Sequence, residues 1–158
     1  MAGYSTEPNV TDDLFFPGKI AVITSPPSVN YDGFHSADQL ITKYGAGKII
    51  KATWPEDYIA GKNKMIVTAA ALAEDGEIKA VIINHAVPGT ADAVDKLREI
   101  RNDIFIVYCV VYEPVHETAR RANLLFEPNE LAMGSAMVKQ AKKQGAKTFV
   151  PGHHTGTP

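Results

Sequence analysis

Short apolar runs alternate with amphipathic stretches along most of this chain. Runs of strand length occur at Lys19 to Thr24, Lys48 to Thr53, Ala80 to Ile83 and Ile104 to Val111. Their β-branched residues and the turn residues around them predict buried strands. A weaker run, Asn123 to Phe126, predicts a fifth strand. The predicted core of the sheet consists of apolar residues from these runs: Ile20, Val22, Ile49, Val81, Ile83, Ile106 and Val107.

The segments between these runs place apolar residues at helical spacing. They predict helices from Gly33 to Tyr44, from Lys62 to Glu74 and from Thr90 to Leu97, a short helix from His116 to Arg121 and a longer one from Glu130 to Gln144. Strands that alternate with helices through short connections imply right-handed crossovers and a parallel sheet covered on both faces. The predicted fold is an α/β, doubly wound three-layer sandwich with a mostly parallel sheet in the strand order 2-1-3-4-5.

The length of 158 residues, 45% of them hydrophobic, is enough for one packed domain and too little for two large ones. We expect an N-terminal extension at residues 1–18 and the sheet domain at residues 19–128. Residues 129–150 then form a crossover helix and a last strand, Lys147 to Val150, and residues 151–158 form a tail without a packing pattern.

Charge and cysteine content exclude several kinds of partner. The net charge is −2 and no run of Lys and Arg exceeds a pair, so the chain lacks the basic face that binds nucleic acid. Only 18 residues precede the first strand, too few for a helix-turn-helix domain. Cys109 is the single cysteine and lies in an apolar run, which favours a buried thiol over a nucleophile, a disulfide or a zinc ligand. His153 and His154 stand in the Gly/Pro-rich tail, which favours adventitious metal binding, so we predict no metal and no cofactor.

The first 19 residues have neither the charged start nor the apolar segment of a signal peptide, and no apolar run approaches the roughly 20 residues of a membrane span. As written, the sequence predicts a cytoplasmic protein without a membrane span. A mature periplasmic or cell-surface domain behind an added initiator Met would have the same pattern, so the location stays open.

The loop after the first strand argues against nucleotide binding. A phosphate-binding loop would carry GxxxxGK[ST] or GxGxxG at this point, but the chain has SPPSVN, from Ser25 to Asn30. Pro26 and Pro27 lack the backbone N–H groups that hold phosphate. The same loop argues against a flavin mononucleotide site. A phosphoacceptor domain would want an Asp after the third strand, where this chain has Asn84.

The carboxyl ends of the predicted strands carry aromatic and small polar residues. In a parallel sheet this edge is where ligands bind. Mixed stacking and hydrogen-bonding groups suit a small polar organic ligand with an apolar face. The alternative is structural, with Trp54 covering the end of the sheet and Tyr31 packing the first helix. The predicted ligand-binding residues are Ser25, Ser28, Asn30, Tyr31, Trp54, Asn84, His85, Thr90, Tyr112 and Glu113.

Two of these residues also suggest chemistry. His85 ends the third strand and Glu113 follows the fourth, so the two side chains could meet as a base and its orienting group in a small α/β hydrolase-like enzyme. A pair of ligand-binding groups at the rim is the favoured interpretation. The sequence therefore favours a non-enzymatic binding or sensing domain, with the hydrolase as the alternative.

Five segments, in this order, resemble the first lobe of type I periplasmic-binding-protein-like domains: KIAVIT, KATWPEDY, AVIINHAVPGT, ANLLFEPNELAMG and MVKQAKKQGAKTFV. They are most similar to an uncharacterised bacterial family of predicted lipoproteins, a domain of unknown function that is also labelled a transcriptional regulator. The resemblance spans about Lys19 to Val150. It implies a Venus-flytrap fold that holds a ligand between two lobes, without specifying the ligand.

Two departures from this family change the expectation. The resemblance stops where a second lobe should begin, and the N-terminus lacks the lipoprotein signal and its Cys. The chain is thus expected to be one lobe of a truncated two-lobe binding protein, with half of the ligand cleft. We expect the segment Glu130 to Val150 to pack back on the sheet or to form a homodimer, because its apolar residues would otherwise face water.

Overall fold

The structure, a computed structural model, describes residues 16–148, and the chain divides into two units between Phe126 and Glu127. The described part of the first unit, residues 16–126, contains one five-stranded sheet. Every neighbouring pair of strands is parallel, and the order is β2-β1-β3-β4-β5, which confirms the predicted order 2-1-3-4-5. The strands are β1 (Lys19–Thr24), β2 (Ile49–Thr53), β3 (Ile78–Ile83), β4 (Phe105–Cys109) and β5 (Leu124–Phe126).

Four helices connect the strands and lie on both sides of the sheet. They are α1 (Tyr31–Tyr44), α2 (Lys62–Glu74), α3 (Thr90–Ile100) and the short α4 (Val115–Ala119). Each of the three longer helices follows the carboxyl end of one strand and brings the chain back to the end of the sheet where the next strand begins, as right-handed parallel crossovers require. The α/β fold with helices on both sides is therefore as the sequence predicted.

The larger core lies between the sheet and helices α2 and α3. Ile23, Val81 and Ile83 of the central strands meet Met65 of α2 and Leu97 of α3, and all five are buried. Apolar residues on the helix faces that turn toward the sheet account for this packing. Of the seven predicted core residues, Ile20 alone is only partly buried, and it packs against the smaller core on the other face.

Helix α1 covers one end of that other face. Its Ala37 packs with Val22 and Ile49, and Lys51 Nζ of β2 lies 2.7 Å from the Asp38 carboxylate of α1. These contacts fix α1 over β1 and β2. At the far end of the same face, three apolar side chains of β4 and β5 are exposed: Phe105, Leu124 and Phe126.

The second unit contains helix α5 (Glu130–Lys143), which confirms the helix predicted there. Asn129 caps it, with Oδ1 accepting a hydrogen bond from the backbone N–H of Ala132 at 2.9 Å. No residue of α5 is buried, and Leu131, Met133 and Met137 are exposed. Residues 1–15 and 149–158, which include most of the predicted extension, the end of the strand Lys147 to Val150 and the tail, lie outside the described residues.

Within residues 16–148, helices that combine the length and apolar character needed to cross a membrane are absent.

The central position of β3 gives a stability prediction. Ile83 is fully buried between β1, β4 and the helices, so Ile83→Ala should lower the free energy of unfolding by about 2–5 kcal/mol through lost burial and the cavity that remains. Urea unfolding measures this loss. Val67→Ala, at an exposed position of α2, is the matched control and should change stability by less than about 0.5 kcal/mol. A loss below about 1 kcal/mol for Ile83→Ala would contradict the assignment of the core.

Candidate functional site

The carboxyl ends of the strands form one edge, and backbone hydrogen bonds extend the sheet slightly beyond the strands there. The N–H of Trp54 donates to the carbonyl of Thr24 at 2.8 Å, and the N–H of Asn84 donates to the carbonyl of Ile23 at 2.9 Å. The loops after β1, β2 and β3 therefore leave the sheet side by side. Trp54 and Asn84 emerge at the same end, as the sequence predicted.

A serine and a histidine meet at the centre of this edge. Ser25 Oγ lies 2.6 Å from His85 Nδ1, and the two atoms form a hydrogen bond. Ser25 is 2% exposed, whereas His85 is half-buried. Burial lowers the pKa of His85 below its ordinary value of 6.5, because the protonated ring is poorly solvated there. The neutral form of the imidazole therefore predominates at pH 7.

The ring of Tyr112 packs against His85. The two ring centroids are 4.9 Å apart with an interplanar angle of 87°, the edge-to-face arrangement that aromatic pairs favour. Tyr112 is 62% exposed, so most of its ring faces solvent. The arrangement places an open aromatic surface directly beside a neutral imidazole.

A strained residue directs Tyr112 to this place. Val110 has a φ of +48°, a left-handed conformation that β-branched residues strongly disfavour. After this kink the pairing with the segment beyond β3 resumes, because the N–H of Ala86 donates to the carbonyl of Val110 at 3.1 Å and the N–H of Tyr112 donates to the carbonyl of Ala86 at 2.8 Å. Tyr112 is thereby held next to His85, the neighbour of Ala86 in sequence.

Glu113 caps the start of helix α3 and does not pair with His85. Its Oε1 accepts from the N–H of Gly89 at 2.9 Å, and its Oε2 accepts from the N–H of Ala91 at 3.0 Å. Burial raises the pKa of Glu113, and these two N–H groups oppose that rise. Across the described residues no hydrogen bond joins His85 to Glu113, so the pair of base and orienting group considered for the hydrolase alternative does not form. A carboxylate at the positive end of a helix explains the placement.

Thr90, one of the predicted ligand-binding residues, lies inside the first turn of α3. The cap residue is Gly89, whose φ of +98° is left-handed, and Thr90 is the buried first residue of the helix. Thr90 Oγ1 donates to the carbonyl of Val87 at 2.6 Å. Sequence analysis missed this because the capping group comes from Glu113, 24 positions away from Gly89, where no local pattern shows it.

Asn30 and Asn84 hold the start of α1 against β3. Asn30 Oδ1 accepts from the N–H of Gly33 at 2.9 Å, and Asn84 Nδ2 donates to the carbonyl of Gly33 at 3.3 Å. A Cβ at position 33 would come within 2.9 Å of Asn84 Nδ2, so the close approach requires glycine. Both amides thus have structural partners. Ser28 is exposed, and Tyr31 is exposed and packs on the ring of His35 with centroids 4.2 Å apart.

Trp54 belongs to the core. Its side chain is 2% exposed and packs in the larger cluster with residues such as Met65. Its Nε1 has no hydrogen-bond partner in the part of the chain that the structure describes. The structural role considered for Trp54, covering the end of the sheet, is the one that its burial supports.

The edge carries negative charge and little positive charge. The loops that follow β1 to β4, at residues 25–30, 54–61, 84–89 and 110–114, contain Glu56, Asp57 and Glu113 but neither Lys nor Arg. Lys62, at the start of α2, lies 2.8 Å from the Asp92 carboxylate. Among residues 16–148, three or more His, Cys, Asp or Glu side chains do not cluster closely enough to hold a metal ion.

Comparison with known proteins identifies relatives of unknown function. The family model described as protein of unknown function DUF3798 matches residues 18–156. An uncharacterised protein of Treponema pallidum (strain Nichols) is 28% identical over 137 residues, covering 83% of this chain and 62% of that protein. Another from the same organism is 34% identical over 80 residues, covering 51% of this chain and 37% of that protein. The chain thus spans less than two thirds of either relative.

A solved crystal structure shares the fold. It comes from Clostridium difficile 630 and is described as a candidate transcriptional regulator. The TM-score is 0.72 over 84% of this chain and 39% of that chain, with 21% sequence identity. A likeness at this identity shows the α/β fold and not a shared function. The predicted relation to a bacterial family of unknown function is confirmed, and the periplasmic-binding-protein-like assignment stays a prediction.

The role of Glu113 as a helix cap can be measured. Glu113→Ala should lower the free energy of unfolding by about 1–3 kcal/mol, because two half-buried N–H groups at the start of α3 lose a charged acceptor. Chemical denaturation measures the change. Glu99→Ala is the control, since Glu99 lies at the exposed far end of α3 in an ion pair with Lys96, and it should cost less than about 1 kcal/mol. Equal losses in the two variants would contradict the capping role.

The burial of His85 predicts a pH dependence of stability. Because the pKa of His85 is lower in the folded chain than its ordinary 6.5, the unfolded chain binds more protons once the pH falls below that value. The contribution of a neutral His85 is full above pH 6.5 and is lost as pH falls from there toward the folded pKa. His85→Gln should therefore lose less stability than the natural chain between about pH 7 and about pH 5. Urea unfolding at several pH values, with the exposed His116→Gln as control, measures the difference; parallel curves for His85→Gln and the natural chain would contradict the assignment.

Proposed function

The chain belongs to the DUF3798 family of proteins of unknown function, and we propose that it binds a small polar organic ligand at the carboxyl edge of its sheet, as a binding or sensing domain. The observation that carries the proposal is the arrangement of Ser25, His85 and Tyr112. A buried hydroxyl fixes an imidazole, and the imidazole packs against a largely exposed aromatic ring. Fixed polar groups beside an aromatic surface are the usual means by which proteins orient small ligands.

The remaining predicted ligand-binding residues divide into two groups. Ser28 and Tyr31 are exposed beside the start of α1 and are available to a ligand. Asn30, Asn84, Thr90 and Glu113 already hold backbone groups of α1 or α3, and Trp54 is buried. We therefore expect direct contacts from the first group together with His85 and Tyr112, and a supporting role for the second group.

A hydrolase is the less supported alternative. Ser25 and His85 have the spacing of a nucleophile and its base, but Ser25 is buried and Glu113 is engaged at the start of α3. A hydrolytic site needs an accessible hydroxyl and a group that orients the histidine. Ligand binding requires only that the ring of His85 be held in place and be partly accessible to the ligand.

The Clostridium difficile structure is described as a candidate transcriptional regulator, which favours a sensing role for the domain that binds the ligand. A net charge of −2 and the shortage of basic residues at the edge favour recognition of a small molecule over contact with DNA.

The resemblance to one lobe of a two-lobe protein also bears on the affinity. One lobe supplies only part of the contacts to the ligand, so we expect this chain to bind weakly, with about millimolar affinity. The homodimer through the C-terminal segment stays a prediction, for which the exposed Leu131, Met133 and Met137 of α5 offer an apolar surface.

Calorimetry against a panel of sugars, nucleosides and amino acids tests the proposal. At least one compound should bind with one-to-one stoichiometry and should not be consumed. Tyr112→Ala should weaken that binding about tenfold, because it removes the aromatic surface beside His85. Tyr44→Ala is the matched control, since Tyr44 is also exposed but ends α1 at the opposite edge of the sheet.

Three outcomes would contradict the proposal, the first being that no compound of the panel binds. Binding that is equally strong in Tyr112→Ala and in the natural chain would place the ligand elsewhere. Turnover of a compound that disappears in Ser25→Ala, while the compound still binds, would identify the hydrolase instead.

A further inference from the structure

We infer that His85 offers its Nε2–H to the ligand as a hydrogen-bond donor, so that the site selects compounds that carry an oxygen acceptor and no negative charge. The inference rests on the proposed function and specifies the class of ligand. It depends on three features of the edge: the direction of the hydrogen bond between Ser25 and His85, the open side of the imidazole, and the charges around it.

The direction of the Ser25–His85 hydrogen bond follows from burial. If Nδ1–H donated to Ser25 Oγ, the hydroxyl proton of Ser25 would need another acceptor. Ser25 is 2% exposed, and within residues 16–148 the only hydrogen bond of its side chain is the one to His85. An unsatisfied buried hydroxyl is costly, so Ser25 donates its proton to Nδ1. A neutral imidazole that accepts at Nδ1 carries its own proton on Nε2.

The proton on Nε2 is available to a ligand. His85 is half-buried, and within residues 16–148 its ring contacts Ser25 at Nδ1 and the ring of Tyr112. In the described part of the chain no group accepts a hydrogen bond from Nε2. The hydroxyl of Ser25 and the edge-to-face contact with Tyr112 both restrict rotation of the imidazole. The donor is therefore held in one direction, beside the exposed Tyr112 ring.

The charges at this edge disfavour an anion. Neither Lys nor Arg occurs in the loops that follow β1 to β4, whereas Glu56, Asp57 and Glu113 do. The starts of α1 and α3 are already occupied, α1 by Asn30 Oδ1 and α3 by the Glu113 carboxylate. The start of α2 has no side-chain cap, but its Lys62 is already paired with the Asp92 carboxylate at 2.8 Å. A hydroxyl or carbonyl oxygen satisfies the Nε2–H donor without bringing negative charge to an acidic edge. A flat apolar part of the same molecule would lie on Tyr112.

Nuclear magnetic resonance of the full chain labelled with ¹⁵N-histidine tests the tautomer without any ligand. At pH 7.5, long-range ¹H–¹⁵N correlations should show His85 neutral, with the proton on Nε2 and none on Nδ1. Loss of its signals in His85→Gln assigns them among the five histidines. Ser25→Ala should shift the population toward the Nδ1–H tautomer, and Ser28→Ala, an exposed serine of the same loop, should not. A neutral His85 with its proton on Nδ1, or a protonated ring, would overturn the inference.

Calorimetry with paired compounds tests the class of ligand. Two pairs are compared: glucose with glucuronate, and adenosine with its 5′-monophosphate. In whichever pair binds, the uncharged compound should bind at least about tenfold more tightly than its anionic counterpart. His85→Phe, which keeps a ring but removes the donor, should weaken that binding about three- to tenfold, and His85→Gln, which retains an N–H near the position of Nε2, should restore part of it. Tighter binding of the anion, or unchanged binding in His85→Phe, would overturn the inference. If none of the four compounds binds and the wider panel also fails, the proposed function is wrong, and the resonance experiment still decides the tautomer.

Discussion

The parallel pairing of β1 with β3 is the constraint on which the rest of this structure depends. Ile23 stands opposite Ile83 in the register, and the N–H of Asn84 donates to the carbonyl of Ile23. This register brings Ser25 and His85, 60 positions apart in the chain, to a distance of 2.6 Å. A slip of one residue would turn the side chains of the slipped strand to the opposite face, which would remove Ile83 from the larger core and separate the pair. The same register therefore forms both the core and the centre of the site.

Side chains that cap helices α1 and α3 determine the chemical character of this edge. In many parallel α/β proteins the free N–H groups at helix starts attract phosphate or carboxylate ligands. Here the side chain of Asn30 occupies the start of α1, and the carboxylate of Glu113 occupies the start of α3. With the starts of α1 and α3 satisfied internally, Lys62 at the start of α2 paired with Asp92, and no basic residue in the edge loops, the proposed recognition relies on hydrogen bonding and aromatic contact.

A local strain completes the site. The left-handed conformation of Val110 costs about 1–3 kcal/mol, which the surrounding structure has to offset. The N–H of Val110 donates to the carbonyl of Phe126 at 3.3 Å and its own carbonyl accepts from Ala86, so hydrogen bonds on both sides hold the kink. Directly after the kink, the N–H of Tyr112 donates to the carbonyl of Ala86, which holds Tyr112 beside His85. Strained residues of this kind concentrate at functional sites, which agrees with the proposed role of this edge.

The periodicity of apolar residues determined the strands, the helices and their order, because these depend on spacing within a few residues and on the short connections between elements. The same reasoning placed Ser25, Trp54, Asn84, His85 and Tyr112 at one edge, since the carboxyl ends of parallel strands always meet. The partners of these side chains were decided only by the tertiary structure. Glu113, considered as a partner of His85 in the hydrolase alternative, caps α3, while Thr90 and Trp54, predicted as ligand-binding residues, are buried. Each of these outcomes depends on atoms from distant parts of the chain that come together only in the folded structure. The position of Tyr112 follows the kink at Val110, which no local pattern of residues encodes.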